Sequence, residues 1–236
     1  MIVRSHEFNS EWWGGNVGIV NLDKFNNCND DEAVSEFQNF EWIELKLSEI
    51  NNAPLERLHR LGFLYLDTQV GFRINLAKIE ETKSLQGIQS VSASEKIFQI
   101  EPSEILEFSS DRFSRLPGCS QLMIQQRYSI WSNKLIQSNP EYSLRIVSEG
   151  KTQGYFFAQD TKSGFDLTLA MLSADSNISG VLLYQRALLA YRDMGKRVGR
   201  ASFSVYNTPV LNIYSRFGAV FSGMETIWIR KSNLLR

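Results

Sequence analysis

The 236-residue sequence has few of the residues that form disulfide frameworks or metal centres. Its two cysteines, Cys28 and Cys119, lie far apart without the spacing of metal ligands, and the chain has only two histidines. This scarcity is typical of a reducing compartment and does not indicate a metal site. We therefore predict a cytoplasmic protein without a bound metal.

Long apolar runs and an excess of one charge are also missing. No apolar segment approaches the roughly 20 residues that cross a bilayer, and the amino-terminal MIVRSHEFNSEWW lacks the apolar core of a signal peptide. The net charge is −1, with both signs spread along the chain, which gives no electrostatic reason to expect nucleic acid. These features predict a soluble α/β protein with no membrane insertion.

Periodicity divides the chain into a smaller first unit and a larger second one. In the first unit we predict strands at 16–22 and 40–47, helices at 30–39 and 53–61, two short strands within 63–76, and a polar connector at 87–104. In the second unit we predict a helix at 120–137 and strands at 142–148, 154–159 and 165–172.

The block from Gly180 to Gly218 has the clearest local signals. Apolar residues at helical spacing follow Gly180, and Gly195 stands where that helix should end. Residues 202–206 fit a buried strand. Thr208 can then cap a second helix that has Pro209 at its first position, and Gly218 ends it.

The tail of this block, NTPVLNIYSRFGA (residues 207–219), resembles the N-x-x-A-x-x-x-Y-x-x-x-G-F pattern of the GNAT superfamily of acyl-CoA-dependent N-acyltransferases. Asn207, Tyr214 and Gly218 stand at that pattern's spacing, and the distance back to Gly180 is similar to that of the family's pyrophosphate-loop helix. Of the loop pattern Q/R-x-x-G-x-G/A, this chain keeps only Gly180. The resemblance implies an α/β GNAT fold, in which helices flank a mixed, mostly antiparallel sheet.

The rest of the chain is similar to a narrower group, the bacterial TDP-fucosamine acetyltransferases, which acylate nucleotide-linked amino sugars. The similar segments, in a common order, are HEFNSEWWGG, LHRLGFLYLDTQVGFRINL, SSDRFSRLPG and RYSIWSNKL. This similarity implies a truncated GNAT-like domain over residues 1–95 and a complete GNAT domain over residues 96–236.

The resemblance also implies which residues bind acyl-CoA. Backbone N–H groups at a helix start attract anions, so the pyrophosphate is expected on residues 178–182. A backbone N–H near Ala170 to Leu172 is expected to polarise the thioester carbonyl. Asn207 is expected on the pantetheine arm, although it could be an ordinary turn residue. The full predicted set is Ala170, Met171, Leu172, Ile178, Ser179, Gly180, Val181, Leu182 and Asn207.

For catalysis, Tyr214 is the predicted proton donor to the leaving thiolate, because a phenol with a pKa near ~10 is protonated at neutral pH. The alternative is that Tyr214 only packs on the sheet. Asp166, from strand direction, and Glu11, from the resemblance, are candidate bases, although either could be a surface charge and water could replace them. Leu167 and Leu169 are expected in the core, with Asp166, Thr168 and Ala170 on the opposite, substrate-facing side.

Aromatic and cationic side chains are the candidates for binding a nucleotide sugar, since aromatic faces stack on bases and arginine pairs with diphosphate. Packing between the two halves is the alternative, and in a strand only one of two adjacent tryptophans faces inward. The predicted acceptor residues are Trp12, Trp13, Arg127, Tyr128, Trp131 and Thr168.

Together these predictions describe an N-acyltransferase for surface polysaccharide synthesis. It would transfer an acetyl or 3-hydroxybutanoyl group from acyl-CoA to the amine of a dTDP-linked deoxyamino sugar by direct attack in a ternary complex. The alternatives are a GNAT enzyme for another amine, or a non-catalytic acyl-CoA sensor. The apolar segment from Phe221 to Ile229 favours a homodimer.

Overall fold

The computed structural model describes residues 1–48, 53–108 and 111–232. Two compact units share the chain: unit 1 comprises Met1–Val70, Ser204–Tyr206 and Gly223–Arg236, and unit 2 comprises Gly71–Phe203 and Asn207–Ser222. The predicted domain boundary near residue 95 stays a prediction. None of the helices in the described segments is long and apolar enough to cross a membrane.

The first half of the chain folds into short helices and strands, which belong mainly to unit 1. In order they are β1 (Val3–Ser5), α1 (Glu7–Trp13), β2 (Val17–Val20), α2 (Leu22–Asn26), α3 (Asp30–Phe37), β3 (Trp42–Ser48), α4 (Leu55–Arg60) and β4 (Leu64–Asn75). The second half consists of β5 (Ile88–Ser92), α5 (Gln121–Ser138), β6 (Ser143–Ser148), β7 (Lys151–Thr161), β8 (Gly164–Leu172), α6 (Gly180–Asp193), β9 (Val198–Ser204), α7 (Thr208–Arg216) and β10 (Val220–Lys231).

Unit 1 is built on a small mixed sheet. β1 and β2 pair antiparallel, β2 and β3 pair parallel, and β3 pairs antiparallel with β10. Phe25, Phe37 and Phe63 pack ring against ring beneath it. The Glu36 carboxylate accepts hydrogen bonds from the backbone N–H groups of Ile2 and Val3, which fixes the first strand.

Unit 2 has a larger sheet between two helical layers. β5, β6, β7 and β8 pair antiparallel in that order, and β9 joins β8 in parallel. One face of the sheet packs on α6, through Phe156, Leu167 and Leu188 among others. The other face packs on α5, through Phe157 and Leu135. The predicted α/β class, with helices flanking a mixed and mostly antiparallel sheet, is confirmed.

Several local predictions are wrong. Trp12 and Trp13 lie in helix α1, whose N-cap is His6, and not in a strand, because the seven-residue helix is too short to show a period. The residues from Leu64 to Asn75 form one strand instead of two. The predicted connector contains β5, which is a member of the unit 2 sheet. Helix α7 is capped by Asn207, one residue before the predicted Thr208.

Candidate functional site

The central feature of unit 2 is a divergence of two neighbouring strands. β8 and β9 pair through Phe165↔Gly199 and Asp166↔Arg200. Beyond these pairs, the described residues of the two strands are not paired with each other. Ala170 on β8, and Ala201 and Phe203 on β9, are only half-buried there. Unpaired parallel strands leave an opening that a ligand can enter between them.

A β-bulge at Thr168 changes which side chains face which layer. Phe157 of β7 is opposite Leu169, whereas Ala158 is opposite Leu167, so Thr168 is the extra residue. Leu167 therefore packs in the α6 layer and Leu169 in the α5 layer. The prediction that Asp166, Thr168 and Ala170 share one face is wrong, because a bulge reverses the alternation that follows it. Ala170 packs against the α6 layer.

Near Ala170, alternate residues of β8 direct their backbone N–H and C=O groups to the strand edge that faces away from β7. Leu172 uses its C=O to accept a hydrogen bond at 3.1 Å from the N–H of Leu106, outside the β7–β8 ladder. Because N–H and C=O groups of successive strand residues point to opposite edges, Ala170 presents its backbone groups to the same edge as Leu172. In the same segment, the C=O of Glu104 accepts a hydrogen bond from the N–H of Ala174. Of the predicted residues 170–172, Ala170 thus offers the most accessible backbone.

Helix α6 begins beside this strand end. Ser179 is its N-cap, but the serine side chain makes no capping hydrogen bond, and only its C=O accepts, from the N–H groups of Leu182 and Leu183. The N–H groups of Gly180 and Val181 lie in the first turn, before the N–H groups of Leu182 and Leu183. They stand at the positive end of the dipole of this 14-residue helix. A Cβ at Gly180 would lie 3.2 Å from Ile213 Cδ1, so glycine allows α7 to approach this helix start closely.

A pocket of about 690 Å³ opens at the same helix start. Ser179, Val181 and Leu182 line it together with Gln185. Sequence reasoning missed its two cationic lining residues, Lys78 and Arg216, since only the fold brings them together. Both are exposed, and Glu80 also lines the pocket. The arrangement offers helix amides and two positive charges to a phosphorylated ligand.

Asn207 connects β9 to helix α7. Its Oδ1 accepts the N–H of Val210 at 3.3 Å, which satisfies one first-turn donor of the helix. The Asn207 side chain is half-buried, and its amide Nδ2 is the donor left for a ligand.

Tyr214 lies in the core of unit 2 and is 4% exposed. Its ring centroid is 4.0 Å from that of Phe72 and 5.9 Å from that of Phe203, on diverging strand β9. Burial raises its pKa well above the ordinary value of 10. The phenol is therefore protonated at neutral pH, and the structure gives its hydroxyl no hydrogen-bond partner among the residues it describes.

The two candidate bases differ in setting. Asp166 accepts a hydrogen bond from Arg200 Nε at 2.9 Å in a partly exposed ion pair, which occupies one carboxylate oxygen. Glu11 lies on the exposed face of α1 in unit 1. Thr168, the bulge residue, bonds through its hydroxyl to the backbone oxygen of Asp166.

The predicted acceptor residues lie in both units. In unit 1, Trp12 is buried, and half-buried Trp13 donates from Nε1 to Glu41 at 2.7 Å. In unit 2, α5 carries three more, and the fourth, Thr168, lies on β8. Arg127 is 7% exposed, with its guanidinium 4.5 Å from the Phe113 ring and 5.4 Å from the Trp131 ring. The hydroxyl of Tyr128 donates to Asp111, and burial raises the tyrosine pKa.

No protein-family model and no curated protein matches the chain. Several solved structures are similar to the chain. A GCN5-related N-acetyltransferase from Sphaerobacter thermophilus matches at 14% identity with a TM-score of 0.51; the match covers 80% of this chain, which spans 59% of that protein. A tandem GNAT protein from the clavulanic acid biosynthesis pathway matches at 9% identity and TM-score 0.53, over 91% and 75% of the two chains.

A third similar structure is the GCN5-related glucosamine N-acetyltransferase region of a fungal multi-domain GH3 beta-N-acetylglucosaminidase. It matches at 12% identity and TM-score 0.57, over 91% of this chain and 30% of the fungal one. At these identities the likeness concerns the fold alone, and the tandem protein fits a description in two GNAT-like halves. The chain therefore has the GNAT fold.

Proposed function

We propose that this protein is an acyl-CoA-dependent N-acyltransferase. The observation that carries the proposal is the opening between β8 and β9, which lies in the same unit as the uncapped start of α6 and a buried, protonated tyrosine. A thioester with a phosphorylated arm matches this combination. Amide donors and cations would bind the phosphates of the arm. A backbone N–H at the strand edge would polarise the thioester carbonyl, and the tyrosine would protonate the leaving sulfur.

Residues of unit 2 would bind CoA along its length. The amides from Ile178 to Val181 would hold the pyrophosphate, since the N–H of Leu182 already bonds to Ser179. Lys78 and Arg216 would neutralise phosphate charge. The backbone of Ala170 would bond the pantetheine arm or the carbonyl, and Asn207 would donate to the arm from Nδ2. Met171 and Leu172 contribute packing more than hydrogen bonds, because Leu172 already accepts from Leu106.

In the reaction, the acceptor nitrogen forms the amide bond as the carbon–sulfur bond breaks. Tyr214 would give its proton to the leaving sulfur, and water or a carboxylate would take the proton lost by nitrogen. A raised phenol pKa does not prevent this transfer, because the same desolvation makes a thiolate more basic. Cys119 illustrates the effect: burial raises the pKa of this thiol to about 11.

We propose a dTDP-linked deoxyamino sugar as the acceptor. The cluster of Arg127, Tyr128 and Trp131 supplies the cation and aromatic rings that a nucleotide diphosphate needs, and the glucosamine-acetylating neighbour supports an amino-sugar acceptor. Roles for Trp12, Trp13, Thr168, Asp166 and Glu11 stay predictions, as do a cytoplasmic location, a homodimer and the choice between acetyl and 3-hydroxybutanoyl.

A thiol-release assay tests the proposal. Acetyl-CoA and 3-hydroxybutanoyl-CoA are offered separately, each with and without a dTDP-3-amino-3,6-dideoxyhexose. We expect thiol release that requires the sugar, and the preferred thioester identifies the acyl group. CoA binding without release would contradict the acceptor and favour the sensor function, whereas a protein that binds no CoA would contradict the whole proposal.

A further inference from the structure

Gln153 is a fully buried amide at a bulge in strand β7. Val147 of β6 is opposite Thr152, whereas Ile146 is opposite Gly154, so Gln153 is the extra residue. Its side chain is completely inaccessible to solvent. Gly154 allows the bulge to reach α6, because a Cβ there would lie 2.3 Å from both Leu183 Cδ1 and the backbone oxygen of Met171.

Gln153 forms hydrogen bonds with both ends of the turn at residues 173–177, which leads into α6. Its backbone oxygen accepts the N–H of Ser173 at 3.0 Å. Its Oε1 accepts the N–H of Asn177 at 2.9 Å and the hydroxyl of Ser176 at 3.3 Å. The turn is closed by a 3.1 Å bond from the N–H of Ser176 to the C=O of Ser173.

This arrangement explains how a turn of residues 173–177 without glycine keeps one conformation. The buried oxygen of the Gln153 amide needs donors, and it takes one from the N–H of Asn177, which therefore has its partner in β7 and not in the turn itself. An apolar residue would fill the same volume in β7 but could not accept these two bonds. Asn177 is separated from the N-cap Ser179 by one residue, so its position determines the direction of the first amides of α6.

We propose that Gln153 is a positioning residue for the anion-binding amides at the start of α6. In this chain the hydrogen bonds of its side chain would fix the conformation of the loop, which glycines of the loop would otherwise allow. This inference rests on the proposed function, because it requires that the pyrophosphate of CoA binds at those amides. It predicts an effect limited to the phosphorylated part of the ligand, which a general loss of stability would not produce.

The experiment compares CoA with pantetheine, which has the same thiol arm but no pyrophosphate. Dissociation constants for both are measured with the wild-type protein, with Gln153→Leu, and with Gln159→Leu as a matched control in the same strand. We expect Gln153→Leu to raise the dissociation constant of CoA about tenfold and that of pantetheine less than twofold. The control should change neither.

Two outcomes overturn the inference while leaving the proposed function intact: unchanged CoA affinity in Gln153→Leu, or an equal loss for both ligands. A wild-type protein that binds neither ligand overturns the proposed function itself. If Gln153→Leu does not fold, Ser176→Ala removes one of the two bonds to Gln153 from the turn side, together with the 3.4 Å contact of the same hydroxyl with the backbone oxygen of Ile178. It should weaken CoA binding about two- to threefold without affecting pantetheine, and an equal or absent effect overturns the inference.

Discussion

The two ends of strand β8 differ in how many of their polar groups are already bound within unit 2. At the amino-terminal end, β8 pairs with β9 and Asp166 bonds to Arg200. Nearby, Tyr191 donates to the backbone oxygen of Tyr142 at 2.8 Å, and Lys196 bonds to both oxygens of Asp160. The hydrogen-bonding capacity of this end is used internally.

At the carboxyl-terminal end, Leu172 and Ala174 also bond internally, but neighbouring groups have no internal partner among the residues that the structure describes. There β9 no longer pairs with β8, Ser179 leaves the start of α6 without a side-chain cap, and the hydroxyl of Tyr214 has no hydrogen bond in the described part of the chain. Polar groups without an internal hydrogen bond can bond a ligand without breaking a contact of the fold, so this end of β8 is where a ligand gains most. Tyr191 and Tyr214 belong to the same core, but of these two only Tyr191 bonds through its hydroxyl, and the catalytic role that we propose falls on Tyr214.

The largest expected effect is that of Tyr214→Phe. Loss of the proton donor should lower turnover about 100-fold, while the dissociation constant of CoA and the thermal midpoint stay close to those of the wild type. Steady-state kinetics and CoA titration measure the two quantities. Since burial raises the Tyr214 pKa well above 10, wild-type turnover should show no loss from phenol ionisation up to about pH 10.

Tyr191→Phe is the matched control and the second prediction. Its hydroxyl bonds to the backbone oxygens of Tyr142 and Phe156, so its removal leaves buried acceptors unsatisfied. We expect the free energy of unfolding to fall by about 1–2 kcal/mol, with turnover unchanged, as measured by denaturant titration and kinetics. If Tyr191→Phe reduces turnover as much as Tyr214→Phe, the contrast between the two ends is wrong.

Arg216→Gln tests the charge at the open end and should have a smaller effect. Removal of one cation from the pocket at α6 should weaken CoA binding about five- to tenfold at low salt. The difference from wild type should shrink as ionic strength rises, because this arginine is exposed. Lys162→Gln is the control, because this lysine is exposed in the turn between β7 and β8 and does not line the pocket. An equal loss in both variants would contradict a specific phosphate contact.

Much of the fold could be predicted because its helices and strands have regular periods. The apolar spacing of α6 and the alternation of β6 to β8 are local patterns that the structure reproduces. Helix α1 was missed because seven residues show no period and its N-cap is a histidine. The helix-ending Gly14, which has a φ of 77°, was a signal that could have identified it.

The site was less predictable because its determinants are non-local. A bulge at Thr168 leaves the sequence alternation of β8 intact, yet it moves Leu169 to the opposite layer from Leu167. Lys78 and Arg216 are distant in sequence and meet only at the pocket. Gln153 had no sequence signal apart from the glycine that follows it.

The smallest expected effect concerns the closed end. The hydrogen bond from Lys196 lowers the pKa of Asp160 below its ordinary 3.8, and Tyr142 also donates to this carboxylate. A lowered folded-state pKa stabilises the protein above the unfolded-state value and loses that contribution as pH falls.

Asp160→Asn should therefore reduce the free energy of unfolding by about 0.5 kcal/mol at pH 7, and the difference should disappear below the folded-state pKa. Denaturant titrations at pH 7 and at successively lower pH measure it, and the difference should shrink as the carboxylate of Asp160 becomes protonated. Because the pair lies at the closed end, CoA affinity should not change, and a variant that lost CoA binding would show that the two ends of β8 are not independent.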